Sequence, residues 1–166
     1  MPVIRGWGTQ PDYIVQPNRD FVLHAAAQKG NTDSMKKHLK AGAQVDRKNR
    51  FGATPLHTAT AHGQLNAVAL LLKFGAKPEE VNFGKQTALH MAAMNGHVGI
   101  VTLLMENGAE VNPLDDEDWT PLDCALWSGK GITGVNAGKK KAVADLLLKN
   151  GGKRNSKFPL GESIRK

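Results

Sequence analysis

The stretch Thr54-Pro55-Leu56-His57 marks the start of a unit that recurs along the chain. Its leucine has a counterpart in three further units, and neighbouring leucines are 33 residues apart: Leu23, Leu56, Leu89 and Leu122. A fixed period of about 20–50 residues is typical of repeat proteins, in which each unit covers the apolar face that its neighbour cannot bury alone. The sequence therefore predicts one solenoid of four repeats.

Each unit has the residues expected of two helices joined by a turn. Thr54 supplies a side-chain oxygen for the free N–H groups of the first helix, and Pro55 suits the first turn because its missing N–H is not needed there. Gly63 ends this helix. A second helix follows with a leucine face over residues 70–72, and Gly75 matches the left-handed glycine that commonly ends helices.

The spacing also divides the chain. The glycine series at positions 42, 75 and 108 continues only at Gly151, ten residues later than the period requires, which places an insertion at about 130–139. We expect an extended N-terminal arm over 1–19, a repeat domain over 20–152 and a basic tail over 153–166. The repeats are expected at about 20–49, 50–82, 83–115 and 116–152.

These units resemble the ankyrin repeat over about residues 20–152. Thr54-Pro55-Leu56-His57 is that family's signature intact, whereas Thr87-Ala88-Leu89-His90 and Thr120-Pro121-Leu122-Asp123 each depart from it at one place. The resemblance implies an all-α solenoid of helix–turn–helix units with β-hairpin or loop fingers along one edge. Pro78-Glu79 interrupts the stretch after the second helix of repeat 2, so we expect a reshaped finger there.

The recurring His24, His57 and His90 suggest a metal cluster at first sight. Helices of neighbouring repeats pack about 8–10 Å apart, whereas Zn–N bonds are about 2.0–2.1 Å long, so these histidines cannot share one metal ion. The resemblance instead implies that each bonds to the backbone and to the threonine of its own signature. We predict no metal site.

Two further features suggest catalysis but lack the pattern that it requires. The glycine-rich segment 129–140 lacks the first Gly and the final Ser or Thr of a phosphate-binding loop, and we interpret it as a flexible loop. Cys124 has no recognisable base or orienting group, both of which a nucleophile needs, so we predict a buried core thiol. The chain is expected to use no cofactor and not to be an enzyme.

Composition predicts the environment of the protein. Cys124 is the single cysteine of 166 residues, and no stretch approaches the roughly 18 apolar residues of a membrane span. The N-terminal residues contain no apolar block typical of a signal peptide. We expect a soluble, intracellular, cytoplasmic protein without a membrane partner, and leave nuclear or cytoskeletal association open.

The net charge of +7 is unevenly distributed. The tail 153–166 carries five basic residues against one glutamate, and repeat 1 is also basic, whereas residues 115–118 form an acidic run. A basic patch attracts acidic partners. An acidic polymer, either a nucleic acid or an acidic protein tail, is therefore the alternative ligand, with nucleic acid the less favoured because aromatic residues are not interleaved with the basic ones.

The resemblance implies that a protein partner binds the concave surface formed by the fingers and the first helices. Trp, Tyr and Arg dominate interface hot spots, so we predict an aromatic patch flanked by charges of opposite sign. Its predicted residues are Lys48, Arg50, Phe51, Phe83, Met94, Asp116, Glu117, Trp119 and Trp127. In the alternative hypothesis, Trp119 and Trp127 fold back to cap the last repeat.

The predicted function is a non-catalytic protein–protein interaction module, an adaptor or a structural subunit. A larger assembly that orders both termini would be one such setting. Neither the sequence nor the resemblance identifies the partner.

Overall fold

The computed structural model describes residues 19–127, 137–155 and 157, and this part of the chain contains eight helices. They are α1 (Arg19–Lys29), α2 (Thr32–Lys40), α3 (Pro55–Ala61), α4 (Leu65–Lys73), α5 (Ala88–Asn95), α6 (Val98–Glu106), α7 (Pro121–Leu126) and α8 (Ala137–Lys149). Consecutive helices pack in pairs, which confirms the four helix–turn–helix units. No helix in this part of the chain is long and apolar enough to cross a membrane.

The helices form two layers. The first helices of the repeats, α1, α3, α5 and α7, contact one another in order and make the inner layer, and α2, α4, α6 and α8 make the outer layer. The repeated leucines Leu23, Leu56, Leu89 and Leu122 are all buried between the layers. Fully burying one such side chain stabilises the fold by about 1.5–3 kcal/mol. The 33-residue period therefore marks the positions at which each repeat contributes a leucine to the core.

The inner helices begin as the sequence predicts. Thr54 and Thr120 accept a hydrogen bond from the backbone N–H three residues later, and the side chain at that later position bonds back to the threonine N–H. These reciprocal bonds satisfy two of the donors that a helix start leaves free. At the other end of the unit, Gly75 ends α4 with a φ of 86°, in the left-handed region that favours glycine.

Three short turns, which we call finger 1 (49–53), finger 2 (82–86) and finger 3 (115–119), project between the repeats. In each, the first backbone N–H donates to the fifth carbonyl, over 2.9, 3.1 and 3.1 Å respectively. The first side chain also accepts from the third and fifth N–H groups; Asn49 Oδ1, for example, lies 2.8 Å from Phe51 N and 3.1 Å from Ala53 N. These internal bonds fix the shape of each finger.

Of two expectations about the fingers, one is met by the loop form and the other is wrong. Within the described residues the fingers are turns and no β-strand occurs, because neighbouring fingers are joined by isolated backbone bonds such as Phe83 N to Phe51 O at 3.1 Å rather than by a ladder. The reshaping predicted from Pro78-Glu79 is wrong. Finger 2 has the same closing bond as the other two, since that bond depends on Asn82 and not on the residues before it.

The segment after α8 folds back against the end of repeat 3 and the start of repeat 4. Asn112 Nδ2 donates to Gly151 O over 3.0 Å, and Lys153 N bonds to Asn112 Oδ1. Arg154 and Asn155 then reach the buried Asp123. The predicted N-terminal arm lies outside the described residues up to position 18, as does the predicted insertion over 130–136, whereas 137–139 already belong to α8.

Candidate partner-binding groove

We call the surface formed by the three fingers and the adjoining sides of the inner helices the finger groove. It includes a cavity of about 550 Å³ between α1, finger 1 and α3. Phe21, Ala25 and Gln28 line it from α1, Thr58 lines it from α3, and residues 47–51 line it from the finger side. Three of these lining residues are basic and none is acidic: Arg47, Lys48 and Arg50.

Phe51 and Phe83 are the most prominent apolar groups of the fingers, with 60% and 77% of their surface exposed. Gly52 lies between them at a φ of 71°, and a Cβ at that position would come within 2.6 Å of the Phe83 ring. The Arg50 guanidinium lies 4.8 Å from the centre of the Phe51 ring, within the range of a cation–π contact. The structure thus places Arg50, Phe51 and Phe83 close together.

Lys48 is held in a structural contact. Its Nζ donates to Val81 O over 2.9 Å and lies 3.0 Å from a carboxylate oxygen of Glu80. Both groups belong to the segment that leads into finger 2, so Lys48 joins finger 1 to the next repeat. Glu80 offsets part of the Lys48 charge, and Arg47 and Arg50 are the other two basic residues that line this end of the groove.

The two tryptophans contact each other at the repeat 4 end. Their rings are edge-to-face, with centroids 6.1 Å apart and planes at 70°. Trp127 is 47% exposed. Trp119 is half-buried against the core, and it is therefore less exposed to solvent than we expected. Lys140 Nζ donates to Trp127 O over 3.0 Å and lies 5.8 Å from the Trp127 ring centre, which fixes that residue against α8.

Met94 also differs from its predicted exposure, because it is half-buried and packs against the core. The burial has a simple cause: Met94 lies in the last turn of α5, and the inner helices α3 and α7 pack on either side of that helix. Met94 therefore contributes less surface to the groove than Phe51 or Phe83.

Finger 3 is acidic. Asp115 is buried and accepts hydrogen bonds from Glu117 N at 3.0 Å and Trp119 N at 2.8 Å, so it is a structural residue. Asp116 and Glu117 are exposed, as predicted. Asp118 pairs with Lys157, and this ammonium group, with a weaker contribution from Lys85, lowers the pKa of the Asp118 carboxyl.

The candidate catalytic groups have structural roles. His57 Nε2 bonds to Gln86 O and its Nδ1 to Thr54 Oγ1, both over 2.9 Å, and His90 repeats this arrangement with Trp119 O and Thr87. Burial lowers the pKa of both histidines. Among the residues that the structure describes, no three His, Cys, Asp or Glu side chains are grouped as a metal ion would require.

Cys124 is buried, as predicted, and burial raises the pKa of its thiol to about 12. A thiol with so high a pKa stays protonated at neutral pH and is a poor nucleophile.

Phe21 was missed as a groove residue. It is 73% exposed on α1 and lines the cavity opposite finger 1. Its segment lacks the threonine that marks the start of the other inner helices. The helical spacing to His24 and Ala25, which share the same wall of the cavity, is the signal that identifies it.

A comparison with protein-family models agrees with this architecture. The model described as "Ankyrin repeats (3 copies)" matches residues 8–82 and 74–158. A search of curated proteins found no match. Because the two matched segments cover most of the sequence and the structure contains the corresponding helix pairs, the chain belongs to the ankyrin-repeat family.

Proposed function

We propose that this chain is a non-catalytic module that binds a protein partner in the finger groove, as an adaptor or as a structural subunit of a larger assembly. Ankyrin repeats generally mediate protein–protein interactions, and proteins built from them are typically not enzymes. The proposal extends this family property to one surface of this chain.

The observation that carries the proposal is the exposure of Phe51 and Phe83 on neighbouring fingers. Single exposed apolar side chains are common, but a contiguous pair on a rigid support is typical of an interaction surface. The support is rigid here because each finger is closed by its own hydrogen bonds and Phe83 N is bonded to Phe51 O. Binding would therefore require little ordering of the fingers, which favours affinity.

The test is a cross-linked capture of partners from the native cell with wild-type protein and with the double variant Phe51→Ala/Phe83→Ala. Removing a hot-spot side chain costs about 2 kcal/mol or more, roughly a thirtyfold loss of affinity. Leu148→Ala is the matched control, because Leu148 is 55% exposed but lies on the outer helix α8. Capture that is equal for the wild type and the double variant would contradict the proposal.

Ionic strength separates this proposal from binding of an acidic polymer. A polyanion released by added salt would point to the basic residues, because its affinity falls steeply with salt concentration. Arg154 pairs with Asp123 and Lys157 with Asp118. These contacts reduce the positive charge that the tail offers to a polymer, and they favour the protein partner.

Trp127→Ala distinguishes the interface from the cap at repeat 4. We expect loss of partner affinity with the fold retained, as thermal unfolding would show. A large loss of stability instead would assign Trp127 to the cap formed with Trp119 and Lys140.

A further inference from the structure

The three fingers present different chemistry at equivalent positions. The first residue of each finger makes its closing hydrogen bond, and the second residue differs from finger to finger. The second residues are Arg50, Phe83 and Asp116. All three are exposed, and they occupy the same position of the shared turn. Three repeats thus carry a cation, an aromatic ring and a carboxylate in that order.

The neighbours of these residues strengthen the difference between the two ends. Arg47 lines the cavity beside Arg50, and Glu117 follows Asp116 on finger 3. Lys48 is paired with Glu80, and Asp118 is paired with Lys157. Lys85 on finger 2 interacts with Asp118. Arg50 is therefore an exposed positive group at finger 1, and Asp116 and Glu117 are exposed negative groups at finger 3.

We propose that the finger groove recognises an extended protein segment that is acidic over finger 1, apolar over finger 2 and basic over finger 3. This inference rests on the proposed function and specifies the ligand of the same surface. Phe51 and Phe83 would contact the apolar centre of the segment, and the charges at the ends would set its direction. Complementary charges chiefly determine specificity and association rate, whereas buried aromatic contacts supply most of the affinity.

The geometry limits the length of the segment. Neighbouring repeats are separated by about 8–10 Å, the usual distance between packed helices, so fingers 1 and 3 are about 16–20 Å apart. An extended chain rises about 3.3 Å per residue. Five or six residues are therefore enough to reach from the basic end to the acidic end, about the length of a short linear motif.

A nucleic acid fits the same surface less well. Its phosphates are spaced evenly along the strand, so a strand that continued from finger 1 to finger 3 would place phosphates beside Asp116 and Glu117. Like charges at an interface oppose binding. A protein segment avoids this repulsion because its charge can change sign along its length.

The experiment is a selection of random peptides displayed on phage against the full-length chain. We expect the selected peptides to carry acidic and basic residues at opposite ends of an apolar centre. Arg50→Glu should remove the preference for the acidic end, and Asp116→Lys the preference for the basic end. Arg50→Gln separates loss of charge from introduction of a carboxylate.

Matched controls make the same charge changes away from the groove. Lys141→Glu and Glu106→Lys alter exposed residues of the outer helices α8 and α6, and both should leave the selected sequences unchanged. The consensus peptide, measured by fluorescence polarisation, should bind each groove variant roughly tenfold more weakly than the wild type. Circular dichroism verifies that each variant is folded.

Three outcomes would overturn this inference, and they differ in what they mean for the proposed function. If Phe51→Ala/Phe83→Ala abolishes peptide binding but the charge variants select the same peptides, the groove binds protein without this polarity. If none of the groove variants matters, both proposals fail. If a single-stranded oligonucleotide displaces the consensus peptide and loses affinity with Arg50→Glu, the ligand is a polyanion.

Discussion

One buried position holds histidine in repeats 2 and 3 and aspartate in repeat 4. This difference reverses the direction of a hydrogen bond. His57 and His90 face the carbonyl oxygens of Gln86 and Trp119 in the following finger. A carbonyl can only accept, so each histidine donates through Nε2. Asp123 occupies the same position in repeat 4, but its carboxylate accepts from the backbone N–H of Asn155 over 2.9 Å.

The comparison shows that the identity of this residue follows from what comes next in the chain. Where another finger follows, the position faces an acceptor and requires a donor. After repeat 4 the chain turns back at residues 153–155 and presents donors, including Arg154 Nε at 3.2 Å from Asp123 Oδ1. Both side chains still complete the capping box of their own helix. The departure of repeat 4 from the family signature therefore matches the donors of the segment 153–155 that packs against it.

Exchanging histidine and aspartate at this position should leave the residue facing a group that it cannot bond. The largest loss of stability is expected for His90→Asp. The carboxylate could still accept from Thr87, but its second oxygen would face Trp119 O with no proton between them. A buried charge without a partner costs about 3–5 kcal/mol of stability. Urea unfolding measures the loss. His62→Asp is the control, because His62 is exposed and should change stability by no more than about 0.5 kcal/mol. Equal stability of His90→Asp and wild type would contradict the argument.

The reverse exchange, Asp123→His, should lower the free energy of unfolding by about 2–3 kcal/mol. The imidazole would place its Nε2 proton against the donors of Arg154 and Asn155, and leaving such groups without an acceptor costs about 1–3 kcal/mol each. Asp123→Asn, which keeps one acceptor oxygen, should lose less than Asp123→His. An Asp123→His variant as stable as the wild type would show that the tail rearranges freely.

Acidification should destabilise the repeats that carry the histidines. Burial lowers the pKa of His57 and His90, so the unfolded chain binds protons at about pH 6.5 while the folded chain does so only at lower pH. The stability contributed by each neutral histidine is thus present above about pH 6.5 and is lost as pH falls below it, by up to about 1.4 kcal/mol per pH unit.

Urea unfolding at a series of pH values measures this slope. Repeat 4 has Asp123 at the position of His57 and His90, so this position of repeat 4 contributes no histidine to the slope. His97, whose pKa is also lowered by burial, contributes separately, and His97→Asn removes that contribution. His90→Gln should reduce the slope relative to wild type; an unchanged slope would show that His90 titrates alike in both states.

The sequence was sufficient to predict the structure of the repeats but not the contacts of the tail. Leu23 and its counterparts predict the core because burial repeats with the period, and Thr54 and Pro55 predict helix starts through local bonds. The exposure of Phe51 and Phe83 was also predicted correctly, since a finger tip faces solvent wherever the repeat is regular. These features depend on contacts within one repeat or between neighbours.

Features set by contacts outside the repeat pattern were predicted only as an alternative, as for Trp119, or not at all, as for Asp123. The half-burial of Trp119 depends on Trp127 and the core, and the contacts of Asp123 depend on residues more than thirty positions later. Nothing in the repeat pattern specifies how the chain returns after α8. Asp123 was noted only as a departure from the signature, and its reason is visible only when Arg154 and Asn155 are in place.

The smallest effect is expected for Lys157→Ala, which sharpens the comparison within the tail. Lys157 and Asp118 form an exposed ion pair in which solvent screens both charges, so we expect no measurable change in the urea midpoint. Arg154→Ala should instead lower the free energy of unfolding by about 1.5–3 kcal/mol, because it leaves the buried Asp123 without its charged partner. Equal losses for the two variants would mean that the tail is held by its overall charge. Unequal losses in the expected order would mean that the tail is held by the acceptor that repeat 4 has in place of a histidine.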